Sequence, residues 1–293
     1  MPTEVAGEPV VVEDDEDLAG LDALEREQST KRSLLWRLWA AAWPKLSALA
    51  LALVVWELVV LSGWKPPYAL PGPGQVLPTL ADLVSTGGFW RSVMTTMRRA
   101  AVGYALSMVL GTLLGAAVSR SPYLRRAVGS LITGLQSMPS ITWFPLAILL
   151  FQQSERSILF VVVLGATPSI ANGLIYGIDH IPPLLLRAGT VMGAQGWAMM
   201  RSVILPAALP GYLAGMKQGW AFAWRSLMAG ELLVIINKSP ALGVRLDYAQ
   251  DNSDAPLLVA YMIVILTIGI IVDSAFGSAE RRLRAKRGLL VEG

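Results

Sequence analysis

The apolar residues of the chain gather into six long runs, at approximately residues 46–61, 100–118, 127–151, 158–178, 211–236 and 256–276. An α-helix needs about 20 residues to cross the hydrocarbon of a bilayer, and most of these runs reach that length. The pattern predicts an all-α, polytopic membrane protein with six transmembrane helices. The first run is short and contains Glu57, with Trp43 and Trp64 flanking it as an interfacial belt would. The third holds Pro139 and Pro145, so a kinked or broken helix is expected there rather than a straight rod. The fifth is the least hydrophobic, with Lys217, Arg225 and Glu231 in or near it.

Orientation follows from where lysine and arginine fall between the runs. Lys31, Arg32 and Arg37 precede the first; Arg120, Arg125 and Arg126 separate the second from the third. Arg187 and Arg201 separate the fourth from the fifth, and Arg281, Arg282, Arg284, Lys286 and Arg287 follow the sixth. With six spans all four segments share one side, which the positive-inside rule makes cytoplasmic, together with both termini. The opposite loops carry mixed charge: Glu155 with Arg156, then Lys238 and Arg245 with Asp247, Asp251 and Asp254. Arg91, Arg98 and Arg99 are discordant, and there the side chains are expected to snorkel to headgroups. Glycines recur four apart (Gly111 and Gly115; Gly173 and Gly177; Gly211, Gly215 and Gly219), making smooth stripes on which helices can approach closely. Packing within one chain and a subunit interface both fit that spacing.

Composition agrees with a lipid environment. The chain of 293 residues is 54% hydrophobic and 15% charged, against roughly 25% charged for a soluble domain. It has no cysteine, which excludes disulfides, thiolate metal sites and cysteine nucleophiles. Its single histidine, His180, cannot make a histidine-rich metal site, and beside Asp179 at a helix end it is expected to satisfy the terminus. The net charge of +3 hides an asymmetry. Residues 1–30 hold ten acidic side chains and one basic, Arg26; without them 23 basic and 11 acidic residues remain. The acidic segment lacks apolar periodicity and reads as a disordered cytoplasmic tail. A transmembrane domain over 31–287 and a short tail at 288–293 complete the organisation. The basic residues of the body are explained by membrane topology, so no nucleic-acid partner is implied.

Between the fourth and fifth runs, residues 181–206 are too elaborate for a simple connector. Pro182 and Pro183 suit a helix start. Leu184, Leu185, Ala188, Val191 and Met192 fall on one helical face, with Arg187 elsewhere. Gly193 and Gly196 permit a sharp turn. A second amphipathic piece with Trp197, Met200, Val203 and Ile204 then runs to Leu205-Pro206 and into the fifth span. The expected shape is a hairpin on the cytoplasmic side with an apolar face exposed. Such a face needs a partner protein or the bilayer surface.

Arg187-Ala188-Gly189-x-x-x-Gly193, closing at Leu205-Pro206, resembles the Glu-Ala-Ala-x-x-x-Gly coupling motif of ABC importer permeases. Arg187 and Gly189 depart from it; Ala188, Gly193, Leu205 and Pro206 match. Leu70-Pro71-Gly-Pro73-Gly-Gln-Val76, Pro139-Ser-Ile-Thr-Trp143-Phe-Pro145-Leu146, Ile204-Leu-Pro-Ala-Ala-Leu-Pro210 and Ala229-Gly-Glu231-Leu232 resemble the nitrate/sulfonate/taurine class of these permeases. The resemblance spans roughly residues 45–287. One loop departs: Phe151-Gln-Gln-Ser-Glu155 stands where a Phe-Gly-x-Gly-Glu-type loop is expected.

The resemblance implies a type I importer permease in the bacterial inner membrane, working as a homodimer with two ATPase chains and an extracytoplasmic solute-binding protein. Arg187, Ala188, Gly189, Met192, Gly193, Trp197, Leu205 and Pro206 would then form the ATPase-coupling segment, with Gly193 required because a side chain would obstruct the turn. The motor must be another polypeptide in any case, because no Gly-Lys dipeptide occurs and a P-loop is impossible. No cofactor is implied. For the translocation path, ionisable groups within spans usually face a cavity or each other. Arg225 is the candidate contact for an anionic solute, with Gln136, Ser137, Trp224 and Glu231 as further lining candidates; pairing of Arg225 with Glu57 or Asp273 is the structural alternative. An ion-coupled secondary transporter would instead need inverted repeats or acidic and histidine relays near the midplane, and neither is evident.

Overall fold

The computed structural model describes residues 34–236 and 239–286. The acidic segment 1–30, Lys31, Arg32, Lys238, Arg287 and the tail 288–293 lie outside the described residues. Every regular element among the described residues is a helix. They divide into two compact units, one ending at Ser62 and the other beginning at Gly63. The first contains α1 (Leu34–Leu61), with Pro44 inside it.

The second unit contains α2 (Pro73–Ser85), α3 (Gly87–Arg120), α4 (Pro122–Ser137), α5 (Phe144–Phe151) and α6 (Glu155–Asp179). There follow α7 (Pro183–Val191), α8 (Gly196–Met199), α9 (Leu205–Leu233), α10 (Leu242–Asp251) and α11 (Ala255–Lys286). Prolines and short polar side chains mark the starts, where the first N–H groups lack helical partners. The Thr86 hydroxyl accepts from the Phe89 N–H at 3.4 Å to open α3. The Ser121 hydroxyl accepts from Leu124 at 3.3 Å ahead of Pro122 in α4.

Among the described residues four helices are long and apolar enough to cross a membrane: Ala42–Leu61 within α1, then α3, α6 and Ala255–Arg282 within α11. The third run is broken, as its two prolines predict. α4 meets the stretch Ser140–Phe151 at 105°, with a single 3₁₀ turn, Ser140–Trp143, after Pro139. The remaining run, the fifth, is α9, whose 29 residues are long enough but less apolar. Of its charges, Glu231 is covered by protein, Lys217 pairs with Asp273 at 3.4 Å, and Arg225 is exposed.

At the centre of the second unit lies α6. Ile158, Val161, Val162, Ala166 and Ile170 of α6 are fully buried and pack with Phe144, Ala223 and Leu227. The glycine stripes explain how close the neighbours come. A Cβ on Gly215 of α9 would lie 2.5 Å from the Gly173 Cα of α6, and one on Gly211 would lie 2.6 Å from the Gly177 Cα. On the α3 side, Cβ atoms on Gly103 and Gly111 would meet Val162 and Ile170 at 2.7 and 2.8 Å. The repeats therefore serve packing within one chain, and α6 is held between α3 and α9 at backbone contact.

Candidate functional site

The segment between α6 and α9 folds as the amphipathic pattern predicts. Pro182 precedes α7 and Pro183 occupies its first turn. α7 ends in a Schellman arrangement: Ala194 N–H donates to the Gly189 carbonyl at 2.9 Å and Gly193 N–H to that of Thr190 at 3.0 Å. Gly193 has φ +81° and Gly196 φ +51°, the left-handed region that L side chains avoid. The reason for glycine at 193 differs from the expected obstruction, because a Cβ there would meet nothing within 4 Å. The constraint is the backbone angle, not space. α8 then passes through a π-turn, Met200–Ile204, directly into α9.

The two limbs of this hairpin touch each other on one side only. Gly189 is buried, and a Cβ on it would press on the Val203 methyl at 3.0 Å and the Met199 sulfur at 3.1 Å. The departure from alanine at this motif position thus closes the hairpin. The opposite side is open: Leu184, Val191, Met192 and Trp197 are 75%, 87%, 85% and 70% exposed, and Arg187, Ala188 and Gly193 are exposed beside them. Leu205 is half-exposed and Pro206 partly buried where α9 begins. At the same end of the bundle, Arg125 and Asp179 form a bidentate pair at 2.8 and 2.9 Å, and His180 stacks on Tyr176 with its Nδ1 2.9 Å from the Tyr176 carbonyl.

The lining candidates do not form one constellation. Gln136 joins a polar trio: its amide donates to the Ser169 hydroxyl at 3.1 Å and accepts from Asn172 at 2.7 Å. Ser137 is exposed and donates to the Gly134 carbonyl of its own helix. Trp224 is buried against Trp220 and Gly269. Arg225, one residue on and about 100° around α9, is exposed, with its Nε on the Ala221 carbonyl and its guanidinium 4.8 Å over the Phe222 ring. Asp273, one of its two possible partners, is 3.4 Å from Lys217 instead.

Glu231 is fully buried in a network the apolar pattern did not reveal. Arg99 Nη1 donates to it at 3.1 Å, the Thr96 hydroxyl at 2.9 Å, and the Gly243 N–H at 3.1 Å. Arg99 also reaches Glu155 at 3.2 Å and the Ser239 hydroxyl at 2.9 Å, and Thr96 accepts from the Leu242 N–H at 2.9 Å. Arg99 is only 3% exposed, so it does not snorkel to headgroups, whereas Arg98 stays exposed and pairs with Glu155 at 3.1 Å. Thr96 and Glu231 supply from other helices the N-terminal cap that Ala241 cannot give α10. The spacing Thr96-x-x-Arg99 on one face of α3 was the available signal, though its partner lies 132 residues away.

The loop before α6 departs from the expected glycine pattern in sequence but not in shape. Gln152 adopts φ 58° and ψ −162°, a conformation that essentially only glycine takes freely. Its carbonyl accepts from the Ser157 hydroxyl and from Ser154 N–H.

Residues 107–285 match the family model described as binding-protein-dependent transport system inner membrane component. The chain belongs to this family. As a member it is the transmembrane permease subunit of an ABC importer, and the secondary-transporter alternative is set aside. The inner-membrane component is similar to the taurine transport system permease protein TauC of Escherichia coli, 26% identical over 92% of this chain and 99% of that one. It is similar also to the nitrate import permease protein NrtB of Synechocystis, 24% identical over 77% and 83%. Its fold resembles a chain of a bacterial ABC transporter involved in import of the acidic polysaccharide alginate, with a TM-score of 0.57, 14% identity, and coverage of 85% and 99%.

Proposed function

We propose that this permease works as one of two identical chains, that each hairpin docks an ATPase subunit on the cytoplasmic side, and that an extracytoplasmic binding protein delivers the solute at the opposite end. The observation that carries the reading is the open apolar side of the hairpin, where Val191 and Met192 are 87% and 85% exposed while Gly189 packs the inner side against Met199 and Val203. A face of that kind on a polar-side protrusion is stable in water only when a partner covers it. Rigid continuity from α8 through the π-turn into α9 gives a partner that moves the hairpin a lever on a bundle helix. The arginine excess in the segments at this end supports a cytoplasmic placement, together with both termini.

For the solute, similarity to taurine and nitrate permeases supports a small anion such as a sulfonate, taurine or nitrate. Arg225 is the side chain we assign to it; Gln136 and Ser137, at the broken span, lie apart from it as further lining candidates. The test is co-purification in mild detergent from the native host. The wild type is expected to bring a P-loop ATPase and a second copy of itself, and Val191→Glu with Met192→Glu to lose the ATPase while keeping the second copy. An ATPase retained by the double variant would overturn the docking assignment. Uptake of labelled taurine and nitrate by the reconstituted complex, lost in Arg225→Gln with ATP hydrolysis retained, checks the solute class.

A further inference from the structure

A cavity of about 730 Å³ opens at the hairpin end between α3, α6, the π-turn and α9. Two guanidiniums, Arg120 at the end of α3 and Arg201 in the π-turn, line it, and both residues are exposed. Among the described residues neither is paired with a carboxylate. The walls are otherwise almost wholly apolar, and Thr112 and Tyr212 line it further in, their hydroxyls 2.6 Å apart. From Arg120 back to Thr112 is eight residues of helix, about 12 Å along the axis. The cavity therefore runs from a cationic rim into the depth of the bundle.

Two unpaired guanidiniums and an apolar channel behind them describe an amphiphile with an anionic head. A free inorganic anion would use only the rim and leave the apolar depth empty.

We propose that this cavity holds one anionic phospholipid of the cytoplasmic leaflet, its phosphate between Arg120 and Arg201 and an acyl chain in the channel toward Tyr212. The leaflet assignment rests on the orientation proposed above; the site itself does not. Basic pockets between spans on the cytoplasmic side are suited to such headgroups. Because Arg201 belongs to the turn joining the hairpin to α9, the bound lipid bridges the segment that meets the motor to the end of α3. Its occupancy would set how stiffly hairpin motion reaches the bundle.

The test is native mass spectrometry of the full-length chain purified in mild detergent and titrated with phosphatidylglycerol or phosphatidylcholine. The wild type is expected to retain phosphatidylglycerol selectively, about one per chain. Arg120→Gln with Arg201→Gln is expected to weaken retention roughly 30-fold, about fivefold for each arginine. Ala116→Trp, which obstructs the channel and leaves both guanidiniums, is expected to abolish it with the helical circular dichroism unchanged. Equal retention by the wild type and the arginine variant would overturn the proposal. So would displacement of the lipid by millimolar inorganic phosphate, or a loss of dimer in Ala116→Trp without loss of lipid, which would assign the cavity to a second copy. Lipid retention is read without the ATPase, so its outcome is separate from that of the docking experiment.

Discussion

The two ends of the bundle solve opposite problems. At one end Arg99, Glu231, Thr96, Glu155 and Ser239 bring charge into the interior, and each buried group finds partners within the chain. At the other end the hairpin leaves large apolar side chains in the open, with Val191 and Met192 uncovered and the two limbs packed only on their inner side. A buried ion pair is a weak source of stability but a strong constraint, since removing either partner strands a charge. An exposed apolar face contributes nothing to the isolated fold and is free to serve association. The first region is complete as it stands and holds α10 to α9 and α3. The second is the one for which an ATPase partner is proposed. Charge inside and grease outside, the reverse of the usual distribution, thus mark a lock at one end and, at the other, the face proposed for docking.

The largest effect is expected from Glu231→Gln. It leaves Arg99 buried without its carboxylate and should lower the unfolding free energy on the order of 3–5 kcal/mol, read by thermal unfolding of the purified chain. A variant as stable as the wild type would mean that Glu155 alone can hold the guanidinium, and the lock would shift to that pair. Gly173→Ala should follow at about 1–3 kcal/mol of destabilisation, because the added methyl meets the backbone of α9. Gln152→Gly is expected to act in the other direction, raising stability by about 1 kcal/mol by releasing the left-handed backbone at the turn before α6. The smallest change in stability, within about 0.5 kcal/mol, is expected for Val191→Glu on the open face. If that substitution unfolded the chain, the hairpin face would be part of the interior and the contrast between the two ends would fail.

Much of the fold was legible in one dimension. The broken span could be read because two prolines in an apolar run cannot both be accommodated in a straight helix. The hairpin could be read because Leu184, Leu185, Ala188, Val191 and Met192 share a face whose spacing is set within three turns of helix. The turn glycines were legible as well, though Gly193 acts through its φ angle and not through space. Gly189 looked like a simple departure from a motif, and only the contact with Met199 and Val203 gives it a purpose. Arg99 was read as an interfacial side chain because it sits at the edge of a run. The carboxylate that draws it inward belongs to a helix far along the chain.

The sequence by itself determined the helical spans, the break in the third, the self-contained hairpin and the need for a separate motor, because each depends on neighbours within a few turns or on a motif that is absent. Only the tertiary structure decided that Arg99 meets Glu231, that the glycine stripes of α6 and α9 face each other, and that Arg120 and Arg201 flank one cavity. The physical reason lies in the solvent. Lipid tails and helix faces are equally apolar, so hydrophobic pattern tells which segments enter the membrane but not which side of a helix meets protein and which meets lipid. That choice is made by close approach and by polar pairing between distant residues, and neither leaves a local trace.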